Sequence, residues 1–107
     1  MKIIQGSNSA IIVSFDRDIS TASKVEAGLY HPLPHGKSSK LKEWHKEDIT
    51  FYEETATIEL PLTQADTISF PTGACSLEIK ALDSDGNVTL WNPIVGMIEE
   101  RNNNTEM

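Results

Sequence analysis

Three observations predict an all-β chain, an antiparallel β-sandwich of about seven or eight short strands with one short helical crossover. Apolar and polar residues alternate with a period close to two in four separate stretches. Turn-forming residues recur between these stretches at roughly 8–12-residue intervals. Only one short segment departs from the alternation. Strands of this kind bury one face and wet the other, which favours antiparallel sheets stacked face to face.

The elements follow in order. Ser9 to Phe15 sets Ile11, Val13 and Phe15 on one face and Ala10, Ile12 and Ser14 on the other. Lys24 to Tyr30 turns Val25, Ala27 and Leu29 inward, with Lys24, Glu26, Gly28 and Tyr30 outward. His31-Pro32-Leu33-Pro34-His35-Gly36 then breaks the chain. Lys40 to His45 and Ile49 to Tyr52 read as shorter strands, and Thr55 to Leu60 as a stronger one with Ala56, Ile58 and Leu60 on one face. Leu62 to Ile68 is the exception. Thr63 is placed to cap a helical turn with Asp66 three residues on, Leu62, Ala65 and Ile68 share one side, and Pro71 and Gly73 end it. Such a turn is expected to cross from one sheet to the other. Ala74 to Leu82 alternates most regularly, with Cys75, Leu77, Ile79 and Ala81 inward and Ser76, Glu78 and Lys80 outward. Asp83-Ser84-Asp85-Gly86-Asn87 reads as a hairpin turn before two short strands, Val88 to Trp91 and Val95 to Glu99. One domain over residues 1–98 and a polar tail over 99–107 complete the expected organisation.

Composition narrows the function. A chain of 107 residues and 11.9 kDa fits one domain, and 38% hydrophobic residues suffice for a core. Nine Lys and Arg against sixteen Asp and Glu set the net charge at −7. That charge repels phosphate backbones and anionic lipid, so neither nucleic acid nor membrane is an expected partner. Ile3-Ile4 is too short an apolar run for a signal peptide, and no stretch approaches the roughly 20 residues of a spanning helix. Synthesis in a reducing cytoplasm is therefore expected. Cys75 is alone, which excludes an intrachain disulfide.

No motif identifies a reaction. His31, His35 and His45 would make a zinc site only by converging across a hairpin, and exposed loop histidines explain them more simply. The Asp83 to Asn87 segment opens like a calcium loop, but Ile94 stands where the bidentate Glu belongs. Cys75 alternates into the core, and Glu53-Glu54 and Glu99-Glu100 are neighbours that point to opposite faces. No cofactor, no metal and no catalysis are expected. The aromatics are the candidates for contact: Tyr30, Trp44, Tyr52 and Trp91 form an expected interaction surface, with Trp44 and Trp91 alternatively plugging the ends of the core.

A family resemblance adds a setting. Ile3-Ile4-Gln5-Gly6-Ser7, Leu60-Pro61-Leu62-Thr63-Gln64-Ala65-Asp66-Thr67-Ile68, Thr72-Gly73-Ala74-Cys75-Ser76-Leu77-Glu78-Ile79-Lys80 and Asp85-Gly86-Asn87-Val88 together resemble small proteins of tailed phages and prophages of Gram-positive bacteria. Their pattern is similar to the immunoglobulin-like N-terminal module of phage baseplate upper proteins. His31 to Trp44 lies outside it. The resemblance implies an immunoglobulin-like sandwich and a virion structural part that contacts other tail or baseplate proteins, or itself as a homo-oligomer. It implies no catalytic residue. A carbohydrate-binding module using Trp44 and Trp91 as a sugar platform is the alternative expectation.

Overall fold

A computed structural model describes residues 1–100 and holds nine strands and one short helix. The strands are β1 (Lys2–Ile4), β2 (Ser9–Ser14), β3 (Lys24–Pro32), β4 (Ser38–His45), β5 (Thr50–Tyr52), β6 (Thr57–Leu62), β7 (Gly73–Leu82), β8 (Val88–Leu90) and β9 (Ile94–Glu99), with α1 (Gln64–Ile68) between β6 and β7. The larger sheet runs β1-β9-β7-β3-β4, with β8 also pairing on β7, and the smaller runs β2-β6-β5. The result is a β-sandwich with one helical crossover from the small sheet to the large one. Nine strands exceed the expected seven or eight. One pair, β1 with β9, is parallel rather than antiparallel.

The alternating segments lie as their sequence dictates. Val25, Ala27 and Leu29 of β3 and Cys75, Leu77, Ile79 and Ala81 of β7 face the core, opposite Ile11, Val13, Ile58 and Leu60 of the small sheet. β3 and β7 pair from Lys24↔Leu82 to Tyr30↔Ser76 without a break and form the centre of the large sheet. The Asp83 to Asn87 turn joins β7 to β8, closed by the Asp83 N–H on Asn87 O at 3.0 Å and by Gly86 at φ 88°.

Three local expectations are corrected. Ala56 is not a strand residue: Glu53 to Thr55 form a 3-10 turn, Ala56 takes φ 50°, and its carbonyl accepts the Phe15 N–H. Of Leu62, Ala65 and Ile68, expected on one side, Leu62 is buried at the end of β6, but the helical turn itself buries a different side. Thr63 and Asp66 form the expected reciprocal cap, but Ala65 and Ile68 are exposed while Thr67 is fully buried. Thr67 tolerates burial because its hydroxyl donates to Ser7 O at 2.8 Å. The expected tail boundary at residue 99 falls inside a paired strand, since Glu99 ends β9 and its carbonyl takes the Gln5 N–H. Residues 101–107 of that tail lie outside the described residues.

Gly96 explains how β1 sits on β9. A Cβ at Gly96 would stand 2.7 Å from the main-chain oxygen of Met1, which accepts the Met97 N–H at 3.0 Å. A main-chain atom cannot swing aside as a side chain can. Gly96→Ala is therefore expected to push the start of β1 away and cost about 1–3 kcal/mol, read as a lower urea midpoint at unchanged slope.

Candidate functional site

The two outer sheet faces differ in chemistry. On the small sheet the outward residues are Ala10, Ile12, Ser14, Thr57, Glu59, Pro61, Thr50 and Tyr52, and Glu59 alone among them is charged. On the large sheet Lys2, Lys24, Lys40 and Lys80 stand among Glu26, Glu43, Glu78 and Glu99. Four positive and four negative groups cancel, so the rest of the chain carries the net −7.

These charges are linked in a chain across the face. Lys40 pairs with Glu43, Glu43 Oε2 lies 2.9 Å from His45 Nε2, His45 Nδ1 lies 3.4 Å from Glu26, and Lys80 Nζ lies 3.2 Å from the other Glu26 oxygen. The Lys40 contact, then the His45 contact, hold the Glu43 carboxyl below its ordinary range, and Glu43 raises Lys40 in return. All five side chains are substantially exposed, so the chain fixes orientation more than stability.

A cleft of about 320 Å³ opens within this face, lined by Tyr30, Lys40, Glu43, Glu78, Leu90 and Trp91 among others. Its floor depends on Gly28. A Cβ there would lie 2.8 Å from the Tyr30 ring and hydroxyl, so the ring lies over the glycine and fills the room of a side chain. Lys40 Nζ stands 6.0 Å from the Tyr30 ring centre, at the outer limit of a cation–π contact. Beside the cleft, β8 and β9 present Val88, Leu90, Val95 and Met97 to solvent, with Leu90 72% and Val95 75% exposed. Four of the eight large hydrophobic side chains exposed among the described residues lie here.

The four expected contact aromatics separate. Tyr30 and Trp91 line the same cleft. Trp91 is half-buried and also packs on Phe15, with ring centres 4.9 Å apart. Tyr52 lies on the opposite sheet, where its hydroxyl donates to Glu59 at 2.8 Å. Trp44 does not belong to any surface: it is 1% exposed, and its indole N–H donates to Pro61 O at 2.9 Å between the sheets. The β-bulge opposite Leu29 and Tyr30 lets Leu41 slip out of register, so β4 resumes with Trp44 opposite Ala27 on the core side. Sequence reasoning missed Leu90, Val95 and Met97. Their segments read only as short strands, and the side they face is set by pairing to β7.

The histidines do not converge. His45 pairs with Glu26 on β3 and His31 with Ser39, five residues along β3 and so roughly 17 Å away. The His31 Nδ1–H donates to Ala74 O. Among the described residues no group of three or more His, Cys, Asp or Glu is arranged to hold a metal ion. Cys75 is buried, and burial pushes its thiol up, away from the reactive thiolate. No helix among the described residues is long and apolar enough to cross a membrane.

Asp83 and Asp66, like Asp18 and Asp48, bind main-chain N–H groups of their own turns. Asp83 Oδ1 accepts the N–H groups of Asp85 and Asn87, each at 2.9 Å, and the Asn87 bond is the main reason its carboxyl sits low. Asp66 accepts the Thr63 N–H at 2.9 Å, the leading cause of its own lowering, and meets Lys42 at 3.2 Å. A carboxyl depressed by folding stabilises the fold above its unfolded value, and that contribution is lost as pH falls through the folded value. The melting temperature is expected to fall from roughly pH 4 downward, and Asp83→Asn to make this acid limb shallower. An acid limb unchanged in Asp83→Asn would assign it to other carboxyls.

No protein-family model matches the chain, and no curated protein matches it by sequence. Among solved structures with a similar fold is CopC from Methylosinus trichosporium OB3b, at a TM-score of 0.57 and 12% identity, covering 95% of this chain and 87% of that one. At that identity the likeness establishes a shared β-sandwich and nothing further.

Proposed function

We propose that the chain is a non-catalytic structural and interaction module whose partner protein docks on the outer face of the large sheet. The observation that carries this is the exposed strip Val88, Leu90, Val95 and Met97 beside the Tyr30 cleft, on a face whose charges cancel. An apolar strip rimmed by polar groups is the usual anatomy of a protein contact. The resemblance to phage baseplate modules suggests the setting, a tail or baseplate position in a virion. The test is a photo-crosslinking residue at Leu90 or Val95, with Tyr52 on the opposite sheet as control, in cells producing the phage. Adducts to a tail protein from Leu90 and Val95 alone are expected. Equal adducts from all three positions, or none, would refute the reading.

One observation favours a second reading. Tyr30 lies in a cleft with Glu26, Glu43 and Glu78, one aromatic ring with acceptors for sugar hydroxyls, and Trp91 borders it while its ring packs on Phe15. A glycan-binding role predicts saturable quenching of tryptophan fluorescence by cell-wall glycans that Trp91→Phe abolishes. Fluorescence unmoved across a broad glycan panel would end it.

A further inference from the structure

The small sheet ends in an edge unlike every other edge of the molecule. β2 pairs with β6 from Ser9↔Leu62 to Ser14↔Thr57, and among the described residues no strand pairs on its other side. The Phe15 N–H continues this ladder onto Ala56 O, so the odd-numbered residues bond to β6. Ser14 and Thr57 fit this phase: their side-chain oxygens lie 3.3 Å apart, as in the close, non-bonded pairs of an antiparallel ladder. The N–H and C=O groups of Ala10, Ile12 and Ser14 therefore point along the open edge.

Open edges are normally guarded by charge, proline, a bulge or brevity. The other edges here are guarded. β4 carries Lys40, Lys42 and Glu43 and a bulge, β1 has three residues including Lys2, and β5 and β8 have three residues each. β2 has six residues, Ser-Ala-Ile-Ile-Val-Ser, with no charge, no proline and no break in register. Ile12 at its centre is 57% exposed.

We propose that β2 is a homodimerisation edge, to which β2 of a second copy adds antiparallel about a two-fold axis at Ile12. The hydrogen-bonding phase requires even residues to face even residues, and this register satisfies it. Ile12 faces Ile12, Ala10 faces Ser14, and Ile11 faces Val13 across the core side. About six main-chain bonds form, two for each of three pairs. The sequence suits a copy of itself because these three pairings set branched against branched or small against small. It also suits it electrostatically. Asp16 falls opposite Asn8 of the second copy, so no acidic group meets another despite a net charge of −7 on each chain. The two small sheets merge into one of six strands, an ordinary size. This site is independent of the docking face on the large sheet.

Ile12→Lys tests it, because two lysines would then oppose each other across the axis while the exposed position leaves the monomer fold intact, checked by circular dichroism. Sedimentation equilibrium of the full chain is expected to give twice 11.9 kDa for the native protein and a dissociation constant at least about tenfold weaker for Ile12→Lys. Mixing Ile12→Lys with Ile12→Glu is expected to restore the dimer. Val95→Lys, on the other sheet, should leave it unchanged. A native protein that stays monomeric to millimolar concentration overturns the proposal, as does a dimer that Val95→Lys breaks and Ile12→Lys does not.

Discussion

Trp44→Ala is expected to remove about 3–5 kcal/mol of stability, measured by urea unfolding. The residue is the largest of the fully buried side chains and reaches from β4 of the large sheet to Pro61 on β6 of the small one. Its loss opens a cavity between the sheets and also orphans the Pro61 carbonyl. Those two contributions separate. Trp44→Phe keeps most of the ring volume but cannot donate, so about 1–3 kcal/mol is expected for it. Domains of this size have only about 5–15 kcal/mol in total, so the alanine variant should be partly unfolded at physiological temperature. A Trp44→Ala protein with native stability would mean that the indole is not between the sheets.

Leu77→Ala is expected to cost about 2–5 kcal/mol. Leu77 is fully buried on β7, with Leu29 of β3 beside it on one side and Ile94 of β9 on the other. Main-chain pairing on both sides leaves the backbone little freedom to close the void. Leu90→Ala, on the same sheet but 72% exposed, should change stability by no more than about 0.5 kcal/mol. Equal losses at both positions would contradict the assignment of inner and outer faces.

What was legible in the sequence is what strict alternation encodes. Lys24 to Tyr30 and Ala74 to Leu82 have one apolar face each and no irregularity, and they became the central strands with the faces expected. The reciprocal cap of Thr63 and Asp66 is a local motif and formed as read. Trp44 was ambiguous because the bulge between Lys40 and Lys42 resets the phase of β4, and a bulge leaves little trace in a period-two pattern. The burial of Thr67 has no local signal because it depends on the carbonyl of Ser7, sixty residues earlier. The parallel pairing of β1 with β9 joins opposite ends of the chain, which no local pattern announces. The candidate site shares this dependence: Tyr30 and Trp91 border one cleft only because β8 folds back on β7.

The cancelled charges on the large sheet have a kinetic consequence. Charged proteins usually recruit partners through a long-range field that salt weakens. Around this face four lysines and four glutamates cancel locally, although the chain as a whole is strongly acidic. A partner without a strong charge of its own gains no local steering here and arrives at roughly 10⁵–10⁶ M⁻¹s⁻¹, with an association rate that depends weakly on salt. Selectivity on such a face resides in how long a partner stays, set by the fit of Leu90, Val95 and Tyr30, rather than in how quickly it comes.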